Sequence, residues 1–319
     1  MGLTLHVNTT AWKAMVDEVC ANFPGLIPVV KGNGYGFGRG WLTHEAIALG
    51  AQEVAIGTVF EQADVVAQPV TPIVLTPSLD LDSVRVASHV VLTVASQAQL
   101  EHLLAHRPAS TVVVKVMTST RRHGFAPDEV AGAVDRLRNG GATVHSASIH
   151  PGLSESMSAR RSEVEALLPC VPADIAVSVS HLDAEQYAAL RAAQPARNFS
   201  IRLGSALWHQ DKRTLLLRAT VLEVRRVRAG ERVGYRASEV PGDGSLLIVD
   251  AGTTHGVMPL ANGDSPFHFA QRRLALVEAP HMHVSMVFVP AGDPTPAPGD
   301  EVDVQRPLIS TQPDRIAWH

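Results

Sequence analysis

A lysine followed by a glycine-rich loop is the segment with the clearest capacity for chemistry. Residues 29–38 read Val-Val-Lys-Gly-Asn-Gly-Tyr-Gly-Phe-Gly, so Lys31 ends an apolar run, Leu26–Val30, that is typical of a buried strand. Burial of an ammonium group favours the neutral amine, and a neutral amine can form a Schiff base with a carbonyl compound. The glycines allow a ligand to approach the backbone closely. A surface lysine before a flexible loop is the alternative at this point.

The elements that must position this lysine are short apolar runs alternating with helical segments from residue 26 to about 205. Most of the runs are rich in valine and isoleucine without polar alternation, as in parallel strands covered on both faces. The predicted strands are Leu26–Val30, Glu53–Gly57, Thr71–Leu75, Val90–Thr93, Thr111–Met117, Thr143–Ile149, Asp174–Ser180 and Phe199–Arg202. The predicted helices include Leu42–Leu49, Gln97–Ala105, Asp128–Leu137, Glu155–Leu167 and Ala184–Ala193, with Ser96, Asp128 and Asp183 as helix-start residues. Eight strands with seven or eight helices predict an α/β fold, a (β/α)8 TIM barrel, with an open doubly wound sheet as the alternative.

Polar residues follow several of these strands. In a (β/α)8 barrel the carboxyl ends of the strands form one rim, where the chemistry is located. The residues at these ends are Lys31, Arg122 and His123, His150, Ser180 and His181, and Arg202 with Gly204. Their convergence favours a functional Lys31 over a surface lysine.

Beyond Gly204 the pattern changes to short strands separated by turns. The predicted strands are Leu215–Val227, Arg232–Tyr235, Ser245–Val249, Arg273–Val277, His283–Val289 and Glu301–Gln305. The sequence therefore predicts a barrel domain over residues 1–212 and a smaller, mostly β domain over residues 213–319. The first strand, at about residues 1–9, could join the β domain.

Composition excludes several classes of protein. The 319 residues are 45% apolar and 18% charged, with a formal net charge of −4, which fits a globular enzyme and gives no basic patch for nucleic acid. Two distant cysteines predict no disulfide framework and favour the cytoplasm. We expect neither a signal peptide nor a membrane helix, because no apolar run is long enough. His281 and His283 flank Met282 but have no third ligand nearby, so no metal site is predicted.

Five segments, in this order, resemble the alanine racemase family, the barrel-type (fold type III) enzymes that depend on pyridoxal phosphate. The resemblance covers most of the chain. The segments are VVKGNGYGFG with Lys31, KVMTSTRRHG with Arg122, SIHPG with His150, IRLGSAL with Arg202 and Gly204, and AGERVGYRAS with Tyr235.

The resemblance implies a two-base racemase. Lys31 would hold pyridoxal phosphate as a Schiff base and serve one face of the substrate Cα, while Tyr235 serves the other. Arg202 would face the pyridine nitrogen and oppose its protonation, which disfavours transamination. Arg122 would bind the substrate carboxylate, and His150 would lie on or near the cofactor ring.

The remaining implied roles concern the phosphate, the carboxylate arginine and the partner subunit. Tyr35, Ser180, Gly204 and Ser205 are the predicted phosphate ligands, with a helix cap as the alternative for Ser180. Lys115 stands where some family members carry a carbamylated lysine, and an unmodified strand lysine is the alternative. Met282 aligns with a residue that touches substrate from the neighbouring subunit, and the family forms head-to-tail homodimers.

Three departures from the family pattern bear on the substrate. Asp250 replaces a tyrosine, Met117 replaces an aspartate, and the chain ends at His319, before a final segment that supplies a further tyrosine. Alanine is the default substrate, with serine or a larger amino acid as alternatives. The alternative functions are a related pyridoxal-phosphate lyase, decarboxylase or aldolase, and a cofactor-binding protein without turnover.

Overall fold

The computed structural model describes residues 2–81, 83–153 and 156–319. Its contacts divide the chain into two compact units. The barrel unit comprises Val16–Gly34 and Gly38–Trp208. The β unit comprises the N-terminal residues through Met15, Tyr35–Phe37 and His209–His319. The three residues Tyr35–Phe37 of the glycine-rich loop thus group with the β unit, although the loop begins and ends in the barrel unit.

The described residues of the barrel unit contain eight parallel strands. The chain begins with β1 (Leu3–Val7) and α1 (Thr9–Asn22), and the barrel strands follow. They are β2 Leu26–Pro28, β3 Glu53–Ile56, β4 Thr71–Val74, β5 Leu92–Val94, β6 Thr111–Lys115, β7 Thr143–Ser148, β8 Ala176–Ser180 and β9 Phe199–Leu203.

The pairing of these strands closes a ring in chain order. Strands β5 to β9 pair in parallel, each with the next, and β9 pairs with β2. Strands β3 and β4 form a second parallel pair. Single bridges join the two groups, Val29 to Ala55 between β2 and β3, and Ile73 to Val91 between β4 and β5. The predicted (β/α)8 barrel is confirmed, and the open-sheet alternative is wrong.

In the described part of the barrel unit, six α-helices surround or follow these strands. They are α2 Arg39–Ala48, α3 Gln97–His106, α4 Val130–Asn139, α5 Met157–Leu167, α6 Ala184–Ala193 and α7 Ser205–Trp208. A 3-10 segment, Val59–Asp64, follows β3, and the described residues between β4 and β5 contain no α-helix. The start predicted for α5 at Glu155 lies outside the described residues. No helix in the described part of the chain is long and apolar enough to cross a membrane.

The helix starts follow from local hydrogen bonding. Ser96 accepts from the backbone N–H of Gln99, and Asp183 accepts from that of Gln186, so both residues cap their helices as predicted. Asp128 instead lies in a 3-10 turn, and α4 begins at Val130.

The core of the barrel unit consists mainly of the valines and isoleucines of the strands. Val112, Val114, Val177 and Val179 are fully buried, as expected for strands covered by helices on one face and by the barrel interior on the other. Trp208, also fully buried, donates its indole N–H to the Val29 carbonyl at 2.9 Å. This bond ties α7 to the chain immediately before Lys31.

The β unit is built around one long antiparallel strand. Its strands after the barrel are β10 Leu215–Val227, β11 Arg232–Val233, β12 Ser238–Glu239, β13 Gly244–Val249, β14 Phe267–Phe269, β15 Arg272–Arg273, β16 Ala275–Leu276, β17 Ser285–Pro290, β18 Glu301–Val304 and β19 Arg315–Trp318. Strand β10 pairs antiparallel with β1, β13 and β18, and β1 pairs in parallel with β19.

Candidate active site

Lys31 lies in a loop whose backbone is held from both sides. The N–H of Gly32 donates to Glu61 at 3.2 Å, and its carbonyl accepts from Arg39 at 2.5 Å. Gly34 has φ +62°, and a Cβ there would overlap the Arg39 backbone, so only glycine fits. Lys31 itself is exposed in the single chain, so the expected burial is wrong. Strand β2 ends at Pro28, three residues before Lys31, and the lysine extends beyond the barrel core.

Arg202 is buried at the carboxyl end of β9. Its guanidinium donates to the Ser178 carbonyl at 3.0 Å, to the Ser178 hydroxyl at 2.6 Å and to the Ile149 carbonyl at 3.3 Å. Burial lowers the pKa of Arg202 to about 10, so the side chain still carries its charge at neutral pH. These uncharged hydrogen-bond partners therefore fix the orientation of the guanidinium group without neutralising its positive charge.

Lys115, the last residue of β6, is a second buried cation. Its exposed fraction is 8%. Burial, and after it the positive charges of Arg202, Arg122 and Lys31 in that order, together lower the pKa of Lys115 to about 8. Lys115 therefore lies within electrostatic range of all three side chains.

These four side chains, Lys31, Lys115, Arg122 and Arg202, form what we call the cation cluster. Arg122 is exposed in the loop after β6, which Gly124 folds back by taking φ +140°. Among the described residues, no carboxylate forms an ion pair with any member of the cluster. A site with this donor set suits a ligand that supplies the negative charges, such as a phosphate together with a carboxylate.

His150 lies beside the cluster and is neutral. Burial, and after it the positive charges of Arg202 and His181, lower the pKa of His150 to about 2. Its Nδ1 is 2.6 Å from the Ser180 hydroxyl, and its ring centroid is 4.4 Å from that of His181. Because Asp183 caps α6, the helix-cap alternative for Ser180 is wrong.

Gly204 and Ser205 lie where β9 passes into the short helix α7. The carbonyl of Gly204 accepts from the N–H groups of Leu207 and Trp208 at 2.9 and 3.0 Å. The first N–H groups of a helix have no carbonyl in a preceding turn, so they are available to an anion. Ser205 is exposed at this point.

Tyr35 groups with the β unit. It is buried and adopts φ +56°, which is uncommon for a residue other than glycine. His209 Nε2 is 2.8 Å from the Tyr35 carbonyl, and the two rings make an edge contact at 5.6 Å.

Tyr235 and Met282 are the two predicted site residues that lie in the second half of the chain. Tyr235 is 89% exposed and Met282 is 65% exposed. The predicted strand Arg232–Tyr235 ends at Val233, because Gly234 takes φ +77° and begins a turn that carries Tyr235. The carbonyl of Met282 accepts from the hydroxyl of Thr254 at 2.6 Å, which fixes its backbone and leaves the side chain free.

Several residues that support these side chains were not predicted as such. Ser178 holds Arg202, and Glu61 holds the loop of Lys31. Serine alternates with valine through Ala176–Ser180, and this polar face was the available signal for Ser178. Glu61 gives no comparable signal, because its contact is made across the fold.

The described residues contain no group of three or more His, Cys, Asp or Glu side chains that could hold a metal ion. His281 instead lies 2.5 Å from a carboxylate oxygen of Glu278, and His283 lies 3.2 Å from the Thr254 hydroxyl. These two histidines, which resemble a metal pair in the sequence, therefore make separate contacts.

The fold and the site together define a class of protein. The barrel unit is a (β/α)8 barrel whose rim carries a lysine, a neutral histidine and a cation cluster that has no carboxylate partner among the described residues. The chemistry of these side chains suits a small anionic ligand next to an amine.

Comparison with known proteins gives the family. The model of the alanine racemase N-terminal domain matches residues 7–209. Alanine racemases from Mycobacterium bovis and Mycobacterium tuberculosis are 27% identical over 92% of this chain and 83% of their own length. The crystal structure of alanine racemase from Bartonella henselae, with covalently bound pyridoxal phosphate, superposes with a TM-score of 0.78 at 18% identity over all of both chains. The chain belongs to the alanine racemase family, as the sequence motifs predicted.

Proposed function

We propose that this protein is a pyridoxal-phosphate-dependent amino-acid racemase that interconverts L- and D-amino acids, with alanine as the default substrate. The single observation that carries the proposal is the cation cluster, in which the buried Lys115 lies within electrostatic range of the buried Arg202 and of Arg122 and Lys31. Anionic groups of the cofactor and of the substrate would supply the missing negative charge. Family membership supports the same conclusion.

The residues of the barrel unit fit pyridoxal phosphate by the chemistry of their donors. Lys31 would hold the cofactor, and the N–H groups at Gly204 and Ser205 would bind its phosphate, together with Ser180. When bound, the cofactor withdraws electrons from the substrate and acidifies its Cα–H bond. Arg202 stays charged at neutral pH and accepts no proton, so it opposes protonation of a neighbouring ring nitrogen.

The substrate would be oriented by a cation and deprotonated by two bases. Arg122 would bind the substrate carboxylate. Lys31 and Tyr235 would each give or take a proton at the substrate Cα, one on each face. Neutral His150 would lie near the cofactor ring without adding a further positive charge to the cluster.

We also propose a head-to-tail homodimer in which Tyr235 and Met282 serve the partner's site. Both side chains are large and highly exposed in the single chain, yet the backbone of each is fixed by hydrogen bonds. Rigidly presented exposed side chains of this kind are typical of an interface.

Tyr35 is the remaining proposed phosphate ligand, in addition to Ser180, Gly204 and Ser205.

The cofactor assignment is tested by borohydride reduction of the purified yellow protein followed by peptide mapping. We expect the cofactor on Lys31. Lys115 offers a matched control, since it is a second lysine of the same cluster with a pKa lowered to about 8. Lys31→Ala should abolish covalent attachment, whereas Lys115→Met should retain it. Attachment to Lys115, or a colourless protein that does not bind added pyridoxal phosphate, would contradict the assignment.

The reaction itself is tested by chiral chromatography after incubation with single enantiomers of the common amino acids. Appearance of the opposite enantiomer supports a racemase. A change in the carbon skeleton would support the lyase, decarboxylase or aldolase alternative instead. Binding of cofactor without either change would support a protein that has lost turnover.

The dimer is tested by complementation between inactive variants. A mixture of Lys31→Ala and Tyr235→Phe proteins should recover activity after subunit exchange, because one of the two sites in each hybrid keeps both wild-type residues. No recovery in mixtures shown to contain hybrids would place both bases in one chain.

A further inference from the structure

The hairpin that presents Tyr235 is held at its tip by a carboxylate from another loop. The turn Gly234–Ala237 connects β11 and β12, and Glu278 lies between β16 and β17. Glu278 Oε1 accepts from the N–H of Tyr235 at 2.9 Å, and Oε2 accepts from the N–H of Arg236 at 3.1 Å. A Cβ at position 234 would overlap this carboxylate, so glycine at that position permits the contact.

Glu278 is an almost completely buried charge with a full set of donors. Its side chain is 3% exposed, and His281 Nε2 makes a third hydrogen bond to Oε1 at 2.5 Å. Burial opposes ionisation, but the His281 bond and the two backbone N–H groups hold the pKa of Glu278 below its ordinary value. Desolvating a carboxylate is costly, and the three hydrogen bonds offset that cost. They also hold the carboxylate and the turn backbone in one relative orientation.

His281 joins this carboxylate to the ring of Tyr235. The two ring centroids are 4.5 Å apart at an interplanar angle of 47°. Although Tyr235 is 89% exposed in the single chain, its ring therefore lies against that of His281. His281 is in turn held by Glu278, so one carboxylate fixes both the backbone and the ring of Tyr235.

The two loops also share a hydrophobic base. Val233, next to the turn, and Val277, next to Glu278, both pack on the buried cluster Val227, Val240, Leu246 and Phe288. The loops are thus fixed on one side by apolar packing and on the other by the carboxylate.

We propose that Glu278 and His281 are positioning residues that fix the ring of Tyr235 for proton exchange at the substrate Cα. This inference rests on the proposed racemase function for its catalytic consequence, although the positioning itself does not. An unrestrained tyrosine ring would sample other rotamers. Misplacement by about 1 Å is expected to cost roughly ten- to hundredfold in kcat.

The positioning is tested without any activity measurement by NMR of protein carrying 13C-labelled tyrosine. The chain has three tyrosines, and Tyr235→Phe assigns the signal of interest. In His281→Ala and Glu278→Ala, we expect the Tyr235 ring signals to sharpen and move toward those of an unstructured tyrosine, while the buried Tyr35 and Tyr187 are unchanged. His283→Ala, two residues away without contact to Tyr235, is the matched control. Unchanged Tyr235 signals in both variants would overturn the inference.

The catalytic consequence is tested by isotope effects. In His281→Ala we expect kcat to fall roughly ten- to hundredfold, with a smaller change in KM. The Cα-deuterium isotope effect should rise for one enantiomer only, because Tyr235 serves one face. His281→Phe, which retains a ring against Tyr235, should recover part of the rate, and Glu239→Gln controls for loss of a hairpin carboxylate. Equal isotope effects for both enantiomers in an impaired His281→Ala protein would overturn the role in proton exchange.

The two failures are distinguishable. A wild-type protein that does not racemise, but whose Tyr235 signals respond to His281→Ala, refutes the racemase function and supports the positioning. If the protein is a racemase but its Tyr235 signals and isotope effects do not change in His281→Ala or Glu278→Ala, the positioning is refuted and the function is supported.

Discussion

Replacing Lys115 by methionine should stabilise the cofactor-free protein at neutral pH. Lys115 is 8% exposed, and no carboxylate among the described residues pairs with it. Methionine has a similar length and no charge, so Lys115→Met removes a buried cation and keeps most of the packing. In the absence of ligand, the protonated lysine is destabilised by desolvation and by repulsion from Arg202, Arg122 and Lys31.

The magnitude follows from the pKa of Lys115, which falls from 10.5 to about 8. At about 1.4 kcal/mol per pKa unit, the folded state disfavours the protonated lysine by roughly 3 kcal/mol. Because the folded-state pKa is the lower one, this penalty is fully present below about pH 8 and decreases as the pH rises toward 10.5. Lys115→Met should therefore gain up to roughly 3 kcal/mol at pH 7 and less than about 1 kcal/mol at pH 10.

The assay is urea unfolding of the wild type and the variant between pH 7 and pH 10, on protein freed of cofactor and phosphate. Lys13→Met is the matched control, because Lys13 is exposed on α1, and its effect on the free energy of unfolding should be small and independent of pH. A Lys115→Met gain that is equal at pH 7 and pH 10 would refute the electrostatic reasoning.

Three other predictions concern a titrating pair, a tight turn and substrate choice. A hydrogen bond from His145 to Glu53 at 2.6 Å raises the pKa of His145. His145→Gln should therefore cost about 1 kcal/mol of unfolding free energy at pH 6, with the cost disappearing as the pH rises through that raised pKa. Gly124→Ala should lower stability by about 1–3 kcal/mol in thermal unfolding, since a Cβ would overlap backbone at φ +140°, whereas Gly132→Ala on an open helix face should not. Asp250→Tyr should raise kcat/KM for alanine, relative to kcat/KM for amino acids with polar or cationic side chains, by roughly tenfold. An unchanged ratio would show that Asp250 does not determine substrate specificity.

The barrel could be predicted because its strands are uniform runs of valine and isoleucine, each followed by a turn or helix signal. Strand ends were less predictable where a residue near the end of a strand hydrogen-bonds to a later loop instead of to the neighbouring strand. The predicted strand Thr111–Met117 ends at Lys115, because the Met117 N–H bonds back to the Phe125 carbonyl at 2.8 Å. Strands β14 and β19 were not predicted, since each is only three or four residues long. Strand β14 pairs with its neighbour β15, only two residues long, and with the distant β18, and β19 pairs with the distant β1.

The charged residues of the site could be predicted because each follows a strand, and strand ends converge in a barrel. The burial and the contacts of these residues could not be predicted. Lys31 is exposed because β2 stops early, whereas Lys115 is buried because it is the last residue of a full strand. The contact of Glu278 with Tyr235 joins residues 43 apart in sequence, and nothing in either local pattern indicates it.

The central claim, racemisation by two bases on opposite faces of Cα, is tested most directly by incubating single amino-acid enantiomers in deuterated water. The wild-type protein should yield the opposite enantiomer with deuterium at Cα. Lys31→Ala and Tyr235→Phe should each lose this conversion. Deuterated product of the original configuration only, with no inversion by the wild-type protein for any amino acid tested, would contradict the two-base account.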